Sequence, residues 1–203
     1  MDVRYFVLDE RLQFSEAERF CARLPMERRE KIARFRFERD KLRSLIAGLL
    51  IDRFAGCELT YGRNNKPYLA RGVVFFSVSH SGDIVAIAID SAEVGCDVER
   101  IPTDNRLKIA DRFFHPNERG YVNASADKNR AFCRVWTRKE AYLKMTGEGI
   151  AADLTAFDTT SAPLSEQLFS AELDGYFLSV CSEKPISADD VHISEIEIKE
   201  LLK

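Results

Sequence analysis

The chain has 203 residues, 45% of them hydrophobic, and a formal net charge of -3. This length allows one domain or two small ones, and this hydrophobic content is enough for a packed core. The small negative charge gives no sign of nucleic-acid binding, and no apolar run reaches the ~18 residues of a membrane span. The five cysteines are scattered and include no C-x-x-C pair, which argues against a disulfide framework or a structural zinc site. Since the first residues lack a signal-peptide pattern, we expect a cytoplasmic protein without a nucleic-acid or membrane partner.

The first half of the chain is predicted to combine helices and strands. Ser15 and Glu18 have the spacing of a capping box, which predicts a short helix that begins after Ser15. Leucine and isoleucine residues at three- and four-residue intervals predict a long helix over 38–54, which Gly56 is expected to end. The other predicted elements are strands at 3–8, 68–69, 74–79 and 84–89, a charged helix from Pro25 to about residue 36, a turn at 61–65, and a connection at 80–83 between the last two strands.

The second half is predicted to begin with a strand that carries two acids. In the stretch VGCDVE, Asp97 and Glu99 alternate with apolar residues, and strand geometry then places both acids on one face. Helices are predicted at 105–114, 116–124 and 127–145, and strands at 155–159, 167–173, 176–182 and 191–198, with a hairpin turn at Asp174-Gly175. Both halves combine helices with antiparallel strands, which predicts an α+β protein.

Three carboxylates are candidates for binding a divalent cation. Asp97 and Glu99 share a strand face, while Glu140 lies on a predicted helix with Lys144 one turn later. Carboxylate oxygens suit a hard cation such as magnesium, which keeps ligand positions for phosphate and water. From the spacing alone, a pair of solvated acids and an ordinary surface ion pair explain the pattern equally well, because D-x-E on a strand is a weak signal.

Four stretches of the chain resemble the 4'-phosphopantetheinyl transferases, in particular the long single-chain type that activates surfactin synthetase. They are FSVSHS at 76–81, GCDVERI at 95–101, FFHPNE at 113–118 and WTRKEAYLK at 136–144. They occur in the family's order, and the similarity extends to the basic stretch 28–44 and to Lys66-Pro67. The resemblance implies two similar α+β subdomains related by a pseudo-twofold axis, with the active site between them. Residues 1–93 would be the coenzyme A-binding half and 94–203 the metal-binding and catalytic half, and a single chain that supplies the whole site favours a monomer.

The resemblance also implies an activity and a set of site residues. The family transfers the 4'-phosphopantetheine arm of coenzyme A to a serine hydroxyl of an apo acyl or peptidyl carrier protein, with magnesium, and releases 3',5'-ADP. Asp97, Glu99 and Glu140 match the metal-binding acids, and Glu140 is also the candidate that accepts the serine proton, directly or through a water. Lys144 matches the lysine that contacts the pyrophosphate. The residues that match coenzyme A contacts are Arg28, Lys31, Arg43, Ser44, Lys66, Ser79 and His80, together with Lys144.

Two other functions remain open at this point. The chain could be another magnesium-dependent phosphotransferase or hydrolase, but the matches to coenzyme A contacts would then be unexplained. It could also be a coenzyme A- or carrier-binding module without turnover, but such a protein would be expected to have lost a metal-binding acid or Lys144. Trp136 is expected to be a packing anchor, and His115, at a predicted helix start, is expected to be structural. Gly147 and Gly149 are expected to end the long helix, with a phosphate-cradling loop as the alternative. Phe113, Phe114 and Glu118 are expected to brace the cleft, and Glu118 could orient Lys139 or Lys144. The carrier is expected to bind near 113–124 and the cleft rim.

Overall fold

The computed structural model describes residues 1–56, 58–62, 64, 66–70, 74–149 and 152–201, and they form a mixed α+β fold, as predicted. None of the helices in these ranges is both long and apolar enough to cross a membrane. The strands are β1 (Asp2–Val7), β2 (Leu59–Tyr61), β3 (Pro67–Leu69), β4 (Phe75–Ser81), β5 (Ile84–Asp90), β6 (Val94–Arg100), β7 (Leu168–Leu173), β8 (Tyr176–Ser182) and β9 (His192–Glu195). The helices are α1 (Phe14–Ala17), α2 (Met26–Arg34), α3 (Glu38–Phe54), α4 (Leu107–Phe113), α5 (Pro116–Ala124), α6 (Lys128–Thr146) and α7 (Ile198–Leu201).

The first sheet has the strand order β4-β5-β1-β9, and both of its faces are covered. One face packs against α3, in which residues 44–51 are all buried. The other face packs against the second sheet, because Ala86 and Ala88 belong to the same apolar cluster as Val98 and Leu178. Two covered faces explain why residues 84–88 of β5 are buried without alternation.

The second sheet has the order β6-β8-β7, is antiparallel, and packs against α6. Gly95 lets strand β6 approach this helix very closely. A Cβ atom at this position would lie 1.8 Å from the carbonyl oxygen of Ala141 and 2.5 Å from the amide nitrogen of Met145. Since no side chain fits there, glycine sets the distance between β6 and α6.

The last described strand returns to the first half of the chain. β9 pairs in parallel with β1, from Asp2 opposite His192 to Tyr5 opposite Glu195. Ile196 then packs in the apolar cluster around α3. The division of the chain at residues 93 and 94 stays a prediction, but residues 192–196 lie with the N-terminal sheet.

One predicted cap and one predicted strand are wrong. The first helix begins at Phe14, where the backbone N–H of Gln13 donates to Glu16 Oε2 at 3.2 Å, so Ser15 lies inside the helix instead of capping it. The strand expected at 155–159 is replaced by a 3-10 turn over Leu154–Ala156. There the carboxylate of Asp153 accepts hydrogen bonds from the backbone N–H and the hydroxyl of Thr155 at 2.9 and 2.7 Å, which favours a turn.

Other boundaries shift by a few residues. β4 continues through His80 and Ser81, which pair with Val85 and Ile84 of β5, so the site candidate His80 lies on a strand. The strand expected at 191–198 is shorter, and α7 follows it. The predicted hairpin turn is confirmed, with φ of 23° at Asp174 and 81° at Gly175. Of the turn expected at 61–65, positions 63 and 65 lie outside the described residues, and Tyr61 ends β2.

Candidate active site

Three serine hydroxyls join strands β4 and β6, which are edge strands of the two different sheets. The hydroxyl oxygen of Ser77 accepts a hydrogen bond from the backbone N–H of Cys96 at 3.0 Å. The hydroxyl of Ser79 donates to Asp97 Oδ1 at 2.8 Å, and that of Ser81 donates to Glu99 Oε2 at 2.6 Å. We call Ser77, Ser79 and Ser81 the serine seam. It places both acids of β6 at the junction of the two sheets.

Lys144 on α6 closes the site from the opposite side. Its ammonium donates to Asp97 Oδ1 at 2.7 Å and to the Ser79 hydroxyl at 2.8 Å. Among the described residues, its ion pair is with Asp97 on another element, rather than with Glu140 one turn away. Burial lowers the pKa of Lys144, but the charge of Asp97 and its hydrogen bond raise the pKa by more, so the ammonium form is favoured.

The three candidate acids form one electrostatic cluster. Burial raises the pKa of Glu140, and the negative charges of Asp97 and Glu99 raise it further, against the effect of Lys144. The pKa of Glu99 is also raised, by burial and by the charge of Asp97, although the hydrogen bond from Ser81 opposes the shift. Such mutual repulsion is what a bound cation would relieve.

The residues present fit a hard divalent cation. Within the described ranges, no three acidic, histidine or cysteine side chains lie close enough together to hold an ion as they stand. However, Asp97 is only 3% exposed, and its Oδ2 atom is buried without a hydrogen-bond partner in the described part of the chain. An orphaned carboxylate oxygen beside two further carboxylates is a suitable donor set for magnesium, which accepts oxygen ligands and retains positions for phosphate and water.

A cleft of about 420 Å³ brings most of the other predicted residues together. A second hollow of about 340 Å³ surrounds Asp97 and Glu99. The two spaces share Val78, His80, Glu140 and Lys144 as lining residues, so the cleft opens onto the acids. The predicted coenzyme A contacts that line the larger cleft are Arg28, Lys31, Ser44, Lys66, His80 and Lys144.

Basic residues of the cleft are arranged to receive an anion. Burial lowers the pKa of Arg28, and burial together with the charge of Arg28 lowers the pKa of Lys31. The pKa of His80 is lowered by burial and then by the charges of Arg43 and Lys144, which keeps its imidazole neutral at pH 7. Cations that repel one another in a partly dehydrated cleft are stabilised when an anion binds between them.

Two predicted contacts are already engaged within the protein. Lys66 donates to Glu93 Oε2 at 2.5 Å and to the carbonyl oxygen of Met145 at 2.7 Å. Arg43 lies outside the described lining of the cleft. Its Nε donates to the carbonyl oxygen of Gly82 at 2.7 Å. Lys66 therefore also ties the N-terminal half to the end of α6, and Arg43 also anchors the turn after β4.

The hydroxyls of Ser44 and Ser79 differ in whether a group of the protein already bonds them. The hydroxyl of Ser44 is buried in the cleft wall without a hydrogen-bond partner among the described residues. The hydroxyl of Ser79 is held between Lys144 and Asp97, and Ser79 lines the hollow around the acids. Only the first is free to bond a ligand without breaking an existing contact.

A buried ion pair holds α6 in place behind the site. Lys139 Nζ lies 2.7 Å from Glu118 Oε2, with both side chains fully buried, and it also donates to the carbonyl oxygens of Leu154 and Phe157. The other carboxylate oxygen of Glu118 accepts from the backbone and hydroxyl of Thr159. Of its two expected targets, Glu118 thus orients Lys139.

The other structural expectations are met by specific contacts. The ring of Trp136 stacks with those of Phe132 and Phe114, at centroid distances of 6.0 and 6.4 Å. The side chain of His115 caps α5 by accepting from the backbone N–H of Asn117. Gly147 ends α6 with a φ of 71°.

Sequence reasoning missed three residues that make contacts between the elements of the site. Ser77 and Ser81 flank Ser79 at the two-residue spacing that also separates Asp97 from Glu99, and this S-x-S-x-S pattern was the available signal. No local pattern pointed to Glu93 as the partner of Lys66, because the two residues meet only when the chain folds.

The sequence of the chain is similar to those of known proteins. The family model of the 4'-phosphopantetheinyl transferase superfamily matches residues 93–194. The 4'-phosphopantetheinyl transferase psf-1 of Bacillus pumilus is 33% identical over 219 aligned positions, which cover 94% of this chain and 92% of the relative. The 4'-phosphopantetheinyl transferase Sfp of Bacillus subtilis strain 168 is 30% identical over the full length of both chains. The 4'-phosphopantetheinyl transferase AcpT of Salmonella typhi is 37% identical over 64% of this chain and 69% of its own.

Proposed function

The chain belongs to the 4'-phosphopantetheinyl transferase superfamily, and on that premise we propose that it transfers the 4'-phosphopantetheine arm of coenzyme A to a serine hydroxyl of an apo acyl or peptidyl carrier protein. The other product is 3',5'-ADP. The observation that carries this proposal is the continuity of two spaces, since the basic cleft and the hollow around the acids share His80, Glu140 and Lys144. A nucleotide bound in the first would present its pyrophosphate to the second.

The basic cleft binds the nucleotide end of coenzyme A in this proposal. Arg28 and Lys31 supply positive charge, and arginine offers paired donors to a phosphate. Neutral His80 and the hydroxyl of Ser44, which has no partner in the described part of the chain, add hydrogen bonds. Lys66 reaches the ligand by releasing Glu93, while Arg43 contributes by holding Gly82 and by its charge near His80.

Asp97, Glu99 and Glu140 hold magnesium, and Lys144 balances the remaining negative charge. When bound, the cation would neutralise charge on the pyrophosphate during phosphoryl transfer. The buried Oδ2 of Asp97, which is unbonded within the described ranges, and the position of all three acids in the lining of one hollow support this role. A hard cation held there would keep positions for substrate phosphates and water. Lys144 has three N–H donors, of which two are directed at Asp97 and Ser79, so one remains for the pyrophosphate.

Glu140 accepts the proton of the attacking serine, directly or through a water. Its position supports this role, because Glu140 lines both the basic cleft and the hollow around Asp97 and Glu99. In this proposal the carrier binds near residues 113–124 and the cleft rim. We further propose that the enzyme acts as a monomer and that it works in a reducing cytoplasm. The four described cysteines are free thiols, which supports the reducing compartment.

Intact-mass analysis tests the proposal. An apo acyl carrier protein is incubated with the enzyme, coenzyme A and magnesium, and a parallel reaction omits the metal. The expected result is a gain of about 340 Da, one phosphopantetheine on serine, only with magnesium. If there is no gain on this carrier or on a peptidyl carrier while coenzyme A binds, the chain is a binding module. Release of 3',5'-ADP without a carrier would indicate a hydrolase instead.

A further inference from the structure

The hydroxyl of Ser81 makes two hydrogen bonds to β6. Its hydroxyl donates to Glu99 Oε2 at 2.6 Å, and the same oxygen accepts a hydrogen bond from the backbone N–H of Arg100 at 3.2 Å. The carboxylate of Glu99 is therefore fixed relative to the backbone of its own strand by a residue from the other sheet. A flexible glutamate side chain that is fixed in this way loses less conformational entropy when it binds a ligand.

The backbone next to Ser81 is itself anchored. The carbonyl oxygen of Gly82 accepts from Arg43, and the backbone N–H of Asp83 donates to the hydroxyl of Tyr176 at 3.0 Å. The carboxylate of Asp83 pairs with Arg39 of α3 and with Arg100 of β6. A Cβ atom on Gly82 would lie 2.3 Å from the Tyr176 hydroxyl, so this turn is packed tightly against the second sheet. The turn that follows Ser81 thus contacts both halves of the chain, and these contacts fix the position of Ser81.

The serine seam contains a natural comparison for this role. Ser77 makes the same kind of bridge between the same two strands, but its partner is the backbone N–H of Cys96 and no carboxylate. Ser79 contacts Asp97, but it also contacts Lys144, so its removal would disturb two groups. Ser81 is the residue of the seam whose side-chain contact is with Glu99.

We propose that Ser81 is a positioning residue, whose hydroxyl holds the Glu99 carboxylate in the orientation that binds a divalent cation. The inference rests on the proposed function, because it takes Glu99 as a metal ligand. Hydrogen bonds that orient the ligands of a metal commonly contribute a factor of about 10–100 to its affinity. A purely structural role in the seam would instead affect Ser77 and Ser81 variants alike.

Binding of Mn²⁺, followed by electron paramagnetic resonance, tests the inference without turnover. Full-length protein with saturating coenzyme A and no carrier is titrated with Mn²⁺, and a coenzyme A solution alone serves as the blank. Ser81→Ala is expected to weaken Mn²⁺ binding about tenfold or more, whereas Ser77→Ala should stay within about twofold of the wild type. Ser81→Thr, which keeps the hydroxyl, should restore most of the affinity. Urea denaturation of each variant verifies that it is folded under the conditions of the titration.

Two outcomes would overturn the inference: wild-type affinity in Ser81→Ala, or an equal loss in Ser77→Ala. The transfer assay on the wild type separates this failure from that of the proposed function. If the wild type modifies a carrier but Ser81→Ala binds Mn²⁺ normally, only the positioning role is lost. If the wild type modifies no carrier but Ser81→Ala alone loses Mn²⁺, the positioning role stands and the transferase activity does not.

Discussion

At the residue scale, we expect the hydroxyl of Ser44 to contribute to ligand binding and not to the stability of the fold. It is buried in the cleft wall without a partner among the described residues. A buried polar group that makes no hydrogen bond does not stabilise the fold, so Ser44→Ala should change the free energy of unfolding by no more than about 0.5 kcal/mol, or raise it. If the hydroxyl bonds coenzyme A, the same variant should raise the dissociation constant about three- to tenfold.

Isothermal titration with coenzyme A and urea denaturation measure the two effects. A variant that binds coenzyme A like the wild type would remove Ser44 from the set of contacts. A variant that is clearly destabilised would show that the hydroxyl has a structural partner.

The buried pair of Lys139 and Glu118 gives a second prediction at this scale. Both groups are fully buried and hydrogen-bonded, so the removal of one leaves an uncompensated charge in the interior. Lys139→Met should lower the free energy of unfolding by about 3–5 kcal/mol, and Lys139→Met with Glu118→Gln should recover part of the loss. The exposed pair of Arg34 and Glu30 is the control, since Arg34→Ala should cost less than about 0.5 kcal/mol. A double variant no more stable than the single one would contradict this account.

At the element scale, the contact between β6 and α6 sets the geometry of the acids. Gly95→Ala would place a methyl group against the backbone of Ala141, and such overpacking costs about 1–3 kcal/mol or more. Because the helix must move away from the strand, Glu140 would leave Asp97 and Glu99, and we expect the rate of transfer to fall by more than the loss of stability explains.

Gly120 provides the matched control for this substitution. It lies in α5, and no atom lies within 4 Å of a Cβ built there. Gly120→Ala should therefore raise stability by about 0.5–1 kcal/mol through helix propensity, so it controls for the effect of an added methyl group on stability. Thermal unfolding and the mass-based transfer assay measure both variants. Normal activity in a folded Gly95→Ala variant would show that the close approach is not required.

The sequence predicted the local elements of the site but not their pairing. The two-residue alternation around Asp97 and the position of Glu140 on a long helix are local patterns, and both were correct. The ion pair between Lys144 and Asp97 and the serine seam join edge strands of separate sheets, and no local periodicity specifies such contacts. The strand predicted at 155–159 was wrong because the Asp153 carboxylate stabilises a turn.

At the scale of the whole molecule, one residue can test whether the halves unfold together. Ile196 follows β9 and is 2% exposed in the cluster around α3. Trp136, the single tryptophan of the chain, lies on α6 against Phe114 and Phe132. Ile196→Ala should lower the free energy of unfolding by about 2–5 kcal/mol. If the molecule unfolds as one unit, tryptophan fluorescence and far-ultraviolet circular dichroism should shift equally.

Urea titrations followed by both signals make this comparison. A tryptophan transition that stays at its wild-type midpoint, while the dichroism transition moves, would show that the halves unfold independently. The contacts favour a single transition, because the serine seam and the pair of Arg100 with Asp83 join the two sheets, and Lys66 joins the N-terminal half to the end of α6.

The pairing of β1 with β9 has a consequence for the order of events during synthesis. Domains generally fold as they leave the ribosome, beginning with the N-terminal one. Here β1 receives one of its two neighbours from residues 192–195, which are translated long after it. The sheet that borders the basic cleft can therefore be completed only after residue 195 has been translated. A nascent chain arrested before β9 should bind coenzyme A poorly, even though all the predicted contact residues, from Arg28 to Lys144, have been synthesised by then.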